Sequence, residues 1–210
     1  MACAICETRR PKRFCPGVRG DICAPCCGES REVTVDCPLD CPYLVDAHKF
    51  ERIEPVNPDL FPNRDIRVSE QFIRDQGLLL EFTARLLLRS ALETPGAVDS
   101  DVRETLQALI RTYRTLQSGL YYETRPSNPL ADRIFSALQE GLADFRQQES
   151  QRGLTRTRDA DVLGVLAFLE RLELDRDNGR RRGRAFLGFL REHLPDQPAA
   201  REASPLLPPS

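Results

Sequence analysis

The chain has 210 residues and a formal net charge of −2, which gives it no overall bias toward nucleic acid or an anionic membrane surface. No apolar stretch approaches the roughly 20 residues that a membrane-spanning helix needs. With only two histidines, His48 and His193, the chain is also short of the side chain most used for acid–base catalysis.

All eight cysteines fall between Cys3 and Cys41, in the order Cys3, Cys6, Cys15, Cys23, Cys26, Cys27, Cys37, Cys41, with His48 just beyond. A dense, even set of cysteines signals either a disulfide framework or a metal site. The opening Met-Ala-Cys-Ala-Ile-Cys lacks the apolar run and small-residue cleavage site of a secretory leader. A cytoplasmic location with reduced thiols is therefore expected. Reduced thiols in two C-x2-C pairs, Cys3/Cys6 and Cys23/Cys26, are zinc ligands, because each pair offers two sulphurs from one tight turn. A module over 1–48 buries too little apolar surface to fold unaided. Structural zinc supplies the difference, contributing apparent binding energies of about 10–16 kcal/mol.

Two zinc ions are expected, in an interleaved arrangement. Cys3, Cys6, Cys23 and Cys26 take one; Cys15, Cys27, Cys37 and Cys41 take the other. Adjacent residues of an extended backbone point to opposite sides, so Cys26 and Cys27 suit different metals. His48 is the alternative ligand to Cys27 or Cys41 at the second site. Glycines between Cys15 and Cys23 suit a tight hairpin.

The order Cys3-x2-Cys6-x8-Cys15-x7-Cys23-x2-Cys26 resembles the opening of B-box zinc fingers, and more loosely other cross-brace fingers such as the MYND and HIT types. Where a B-box places a ligand soon after the third one, this chain has Val18 or Asp21, with Cys27 as the substitute. Cys37 and Cys41 stand where a B-box has its closing histidine pair. The resemblance covers about a fifth of the chain and implies two interleaved zincs in a module that binds proteins.

Pro55, Pro58 and Pro62 forbid a helix over 49–64, which reads as an extended linker. Ile53, Val56, Leu60 and Phe61 give it apolar side chains to pack. Five amphipathic helices follow over 65–194. The first runs from an N-cap at Ser69 to Leu92, and the second starts at Asp99 or Ser100 and stops before Pro126. The third opens with Asn128-Pro129, a cap followed by proline at the first helical position. The fourth, about Asp159 to Leu174, is apolar on most of its circumference and is expected at the centre. The fifth spans about Arg181 to Leu194. The Pro- and Ala-rich stretch 195–210 reads as disordered. The fold class is thus mainly α, a small two-zinc module followed by an all-α bundle of about five helices.

Nothing in the chain suggests an enzyme. There is no Gly-rich loop after a strand, no Ser/His/Asp arrangement and no Glu-x-x-His motif. A cysteine-filled zinc site also keeps no open position for water. The expectation is a non-enzymatic zinc-binding adaptor or regulatory protein whose finger binds a protein partner. The alternative is a nucleic-acid-binding protein using the basic clusters at 9–13 and 176–184, the latter holding Arg180, Arg181, Arg182 and Arg184. Neither cluster interleaves aromatics for base stacking, apart from Phe14, and a zinc held by four thiolates carries −2. A third reading is a redox sensor through Cys26 and Cys27.

Overall fold

The computed structural model describes residues 2–54, 56–120, 122–153 and 157–194; the expected disordered tail at 195–210 lies outside them, as does Pro55. Among the described residues, a cysteine-rich N-terminal region precedes a helical body. Among the described residues, no helix is long and apolar enough to cross a membrane.

The N-terminal region is a hairpin and two short helices. Strands β1 (Arg13–Cys15) and β2 (Gly20–Ile22) pair antiparallel, with Cys15 opposite Gly20. The connecting turn is pressed onto a later segment: a Cβ on Gly17 would lie 2.4 Å from the Asp36 carbonyl oxygen. Only glycine fits there, and this approach brings Cys15 toward Cys37. Helices α1 (Ala24–Ser30) and α2 (Pro42–Phe50) each carry proline in the first turn, where its missing N–H costs nothing. Cys23 and Cys41 are their N-caps. Cys26 and Cys27 lie inside α1 and not on the extended backbone expected, so it is the step of about 100° between helical neighbours that turns their sulphurs apart.

The proline-containing segment is extended but held against the body. It includes a 3-10 turn at Pro58–Leu60, closed by the Asn57 side chain, which accepts from the Asp59 N–H. The Arg171 guanidinium donates to the carbonyls of Asn63 (2.7 Å) and Ile66 (2.8 Å). Arg114 grips the Asp65 carboxylate at 2.7 Å and Asn63 Oδ1 at 2.9 Å, while Asn63 Nδ2 donates to Glu170. Arginine forks suit this task because their fixed geometry loses little entropy per bond formed.

The body comprises α3 (Glu70–Asp75), α4 (Gly77–Leu92), α5 (Asp99–Gln117), α6 (Pro129–Gln151), α7 (Asp159–Arg176) and α8 (Ala185–His193). The first expected helix starts at its expected cap, with Ser69 Oγ accepting from the Phe72 N–H, but it breaks at Gln76. Gly77, a poor helix former, follows the break. The change of direction lets Phe72 lie across Gly164 of α7, where a Cβ would sit 2.4 Å from Phe72 Cζ. Asn128 caps α6 as expected, its side chain accepting from the Leu130 N–H. In α5 and α7 the third residue instead reaches back: the carboxylates of Asp101 and Asp161 accept from the N–H groups of Val98 and Arg158. Helix α7 is central, burying Val162, Leu163, Val165, Leu166 and Leu169 against α5, α4 and α8. The last helix begins at Ala185, four residues later than expected, which leaves Arg180, Arg181, Arg182 and Arg184 in the preceding turn.

Candidate metal centre

Four sulphurs converge in the N-terminal region. Those of Cys3, Cys6, Cys23 and Cys26 all lie within 4.8 Å of one another, and all four thiols are free of disulfides. The first pair is held in a tight turn in which the Glu7 N–H reaches the Cys3 carbonyl and the Cys3 N–H reaches the Arg9 carbonyl, each at 2.9 Å. Glu7 takes a left-handed backbone, φ 57°, to close that turn. The second pair flanks the start of α1, and the Cys23 N–H donates to Cys3 Sγ at 3.3 Å.

The electrostatics fit a cation. Hydrogen bonds from Thr8, side chain first and then the backbone of Arg9 and Thr8, hold the Cys6 thiol down at about 5. Cys26 is pushed up to about 12, first by the Cys23 sulphur and then by burial. Four thiolates this close cannot all ionise unaided, since each added negative charge opposes the next. A divalent cation removes that conflict. Zn–S bonds of about 2.3 Å in a tetrahedron put the sulphurs about 3.8 Å apart, which the observed spacing accommodates. These four cysteines form a group able to hold one metal ion.

The other four are arranged differently. Cys15, Cys27, Cys37 and Cys41 line a common cavity of about 20 Å³, close to the volume that one water or ion occupies. Their sulphurs do not form a group as tight as the first. Burial pushes the Cys37 thiol up, and the charges of Glu32, Cys15 and Cys41 add to it. The Arg13 and Arg31 guanidiniums lie 3.8 and 4.0 Å from Cys27 Sγ. On the first quartet, the neighbouring Cys23 sulphur raises the pKa of the Arg9 guanidinium above its ordinary value. Two of the N-terminal arginines, Arg13 and Arg31, are therefore placed against sulphur.

His48 does not face the cysteine cavity. Its Nε2 lies 3.0 Å from Glu32 Oε2, and Glu51 completes a trio that could in principle hold a metal. That trio already has partners. Asn178 Nδ2 donates to Glu32 (2.9 Å) and Glu51 (3.2 Å), Arg180 Nε donates to Glu51 (3.1 Å), and the Arg184 N–H donates to Glu32 Oε1 (2.7 Å). A guanidinium beside the carboxylates fills the role a cation would take. Burial opposes ionisation of Glu32, but His48, the Arg184 N–H and Asn178 outweigh it and hold its carboxyl below the usual range.

The basic cluster at 176–184 thus meets the cysteine-rich N-terminal region. Arg182 and Arg184 pair with Asp36 at 3.6 and 2.8 Å. Arg184 also donates to the Cys37 and Ala97 carbonyls, and Arg180 to the Arg31 carbonyl. Arg176 stacks over Phe189, 4.6 Å from the ring centre. Arg181 alone of the cluster is exposed without a partner among the described residues. The start of α8 is relieved by Asp99, which is buried and accepts from the N–H groups of Phe186 (2.9 Å) and Leu187 (3.1 Å). Glu32, Asp36, Glu51 and Asn178 join the N-terminal region to the body, and nothing in the sequence around them marks that pairing.

Fold and site together define a cysteine-rich module, with one tetra-cysteine group able to hold a metal ion, seated on an α-helical body. No family model, curated protein or solved structure matches the chain.

Proposed function

We propose that this protein is a non-enzymatic adaptor whose N-terminal module is a finger built on two structural zinc ions. Cys3, Cys6, Cys23 and Cys26 hold the first. Cys15, Cys27, Cys37 and Cys41 hold the second, drawing in around a cavity already of ionic size. Zinc with four thiolates keeps no position open for substrate, so its contribution is folding energy. Elemental analysis of protein purified without added metal is expected to give two zinc ions per chain. A value near one would remove the second site.

The observation that carries the adaptor reading over nucleic-acid binding is where the arginines are used. Arg180, Arg182 and Arg184 are engaged by carboxylates and carbonyls of the 31–51 stretch, and Arg13 and Arg31 by the Cys27 sulphur. The histidines are also engaged: His48 with Glu32, and His193 Nδ1 with the Phe189 carbonyl at 2.9 Å. Among the apolar side chains the finger presents outward is Phe14, 60% exposed, with Tyr43 at 38%, an anchor of the kind protein interfaces use. Fluorescence anisotropy of the zinc-loaded protein with mixed-sequence DNA and RNA is expected to show nothing tighter than the non-specific range of roughly 10⁻⁴–10⁻⁶ M at physiological salt. Nanomolar binding would replace the adaptor with a nucleic-acid protein.

A further inference from the structure

The turn before α8 carries four guanidinium groups in five residues, and the finger covers it with carboxylates. Asp36 and Glu51 stand against Arg180, Arg182 and Arg184 as the oxygens of an anionic ligand would. The backbone is held as well. The Arg182 N–H donates to the Glu32 carbonyl at 2.7 Å, and the Arg184 N–H to the Glu32 carboxylate at 2.7 Å. Glu32 is fully buried and takes a left-handed backbone, φ 53°, which aims both of its oxygen-bearing groups at the turn. Every one of these finger contacts lies between Arg31 and Glu51, threaded through Cys37 and Cys41.

That threading ties the cover to the metal. The buried apolar side chains of the finger other than cysteine are Ile22, Val35, Leu39 and Leu44. Four such residues bury far too little surface to hold a module of this size without its ions. When the ions leave, Glu32, Asp36 and Glu51 lose the frame that positions them. Asp99 and the core residues Phe186, Leu187 and Leu190 keep α8 on the body, so the arginines stay clustered at its start.

We propose that the finger is a metal-dependent clasp over a latent anion-binding surface, Arg180, Arg181, Arg182 and Arg184, which accepts the phosphates of a nucleic-acid backbone once the finger has lost its metal. The proposal rests on the structural-zinc reading above. Guanidinium forks match phosphate geometry, and no aromatic side chain lies within 180–184 to read bases, so binding is to the backbone and independent of sequence.

The test uses the full chain in three forms: zinc-loaded wild type, wild type treated with a chelator, and a zinc-loaded triple variant Glu32→Ala, Asp36→Ala and Glu51→Ala. The triple variant removes both the side-chain acceptor of the Arg184 N–H and the carboxylates on the guanidiniums. Amide hydrogen exchange over 178–184 reads the clasp, and anisotropy with a labelled mixed-sequence DNA duplex reads the surface. Exchange at Arg182 and Arg184 is expected to be slow in the loaded wild type and at least about 100-fold faster in the other two forms, since local opening sets protection. DNA affinity should rise at least about tenfold in both opened forms, fall steeply with salt, and return to baseline when zinc is restored to the wild type. In chelated protein the gain should vanish with a quadruple Arg→Ala variant at 180, 181, 182 and 184. Opening of the turn in the triple variant with no gain in DNA affinity overturns the proposal and leaves the zinc reading untouched. Unchanged exchange after complete zinc removal overturns it as well. Absence of zinc from the purified protein, read separately by elemental analysis, overturns the zinc reading itself.

Discussion

Replacing Cys23 by serine is expected to empty the first metal site and unfold the finger while most of the helical body persists. Cys23 is the residue on which the site turns. It is the N-cap of α1, its N–H donates to Cys3 Sγ, and its sulphur lies within 4.8 Å of the other three. Serine is itself a good N-cap, so the substitution spares the helix start and removes only the ligand. The loss is large because structural zinc contributes about 10–16 kcal/mol of apparent binding energy to a module of this kind. Zinc content should fall from two per chain to below one, and amides over 2–50 should lose protection. Helical circular dichroism should drop only slightly, because α4 to α7 pack on one another and draw their core from Leu87, Leu106, Leu109, Ile134, Leu138 and Leu166, all fully buried. Retention of both zinc ions would show that Cys23 is not a ligand. Global unfolding would mean that the body needs the finger to fold.

The second large effect belongs to Arg103. Its Nε and Nη2 donate to the two oxygens of Glu173 at 2.7 and 2.9 Å, and Nη2 also reaches Asp177. The Glu173 side chain is 0% exposed, and burial pushes its carboxyl up despite the guanidinium. Arg103→Ala strands that carboxylate inside the α5–α7 interface, a change worth about 3–5 kcal/mol of stability, or a Tm loss on the order of 10 °C for a chain of this size. The sign with pH follows from the shift. A carboxyl whose folded pKa is raised resists ionising in the folded state, so its destabilising effect is present at neutral pH. It fades as pH falls toward the unfolded value near about 4.3, where both states hold the proton. The deficit of Arg103→Ala should therefore shrink in mild acid, as read by thermal melts across pH. Arg103→Met with Glu173→Leu should recover most of the loss, since a buried pair replaced by apolar groups is often neutral. An equal deficit at all pH values would place the loss in packing and not in charge.

What could be read from the chain alone is what local chemistry fixes. The C-x2-C spacing picks out the converging quartet, because two sulphurs three residues apart in a tight turn can share one ion. Helical periodicity locates the bundle, Ser69 and Asn128 announce their caps, and the apolar circumference of the fourth helix places it at the centre. Each signal spans a few residues, so the sequence holds it whole. The joint between finger and body has no such signal. Glu32 and Arg184 are 152 positions apart, and nothing about a glutamate beside an arginine in the stretch Glu29-Ser30-Arg31-Glu32 marks it as the acceptor for a distant turn. The break at Gln76 and the packing of Phe72 across Gly164 are likewise invisible until α3 and α7 meet. The cluster at 176–184 shows the difference most clearly: by composition it is a candidate phosphate site, and only the folded chain brings Asp36 and Glu51 against it. Composition supplies the charges, but whether a charge faces solvent, a sulphur or a carboxylate depends on contacts made across the length of the chain, and tertiary structure alone decides those.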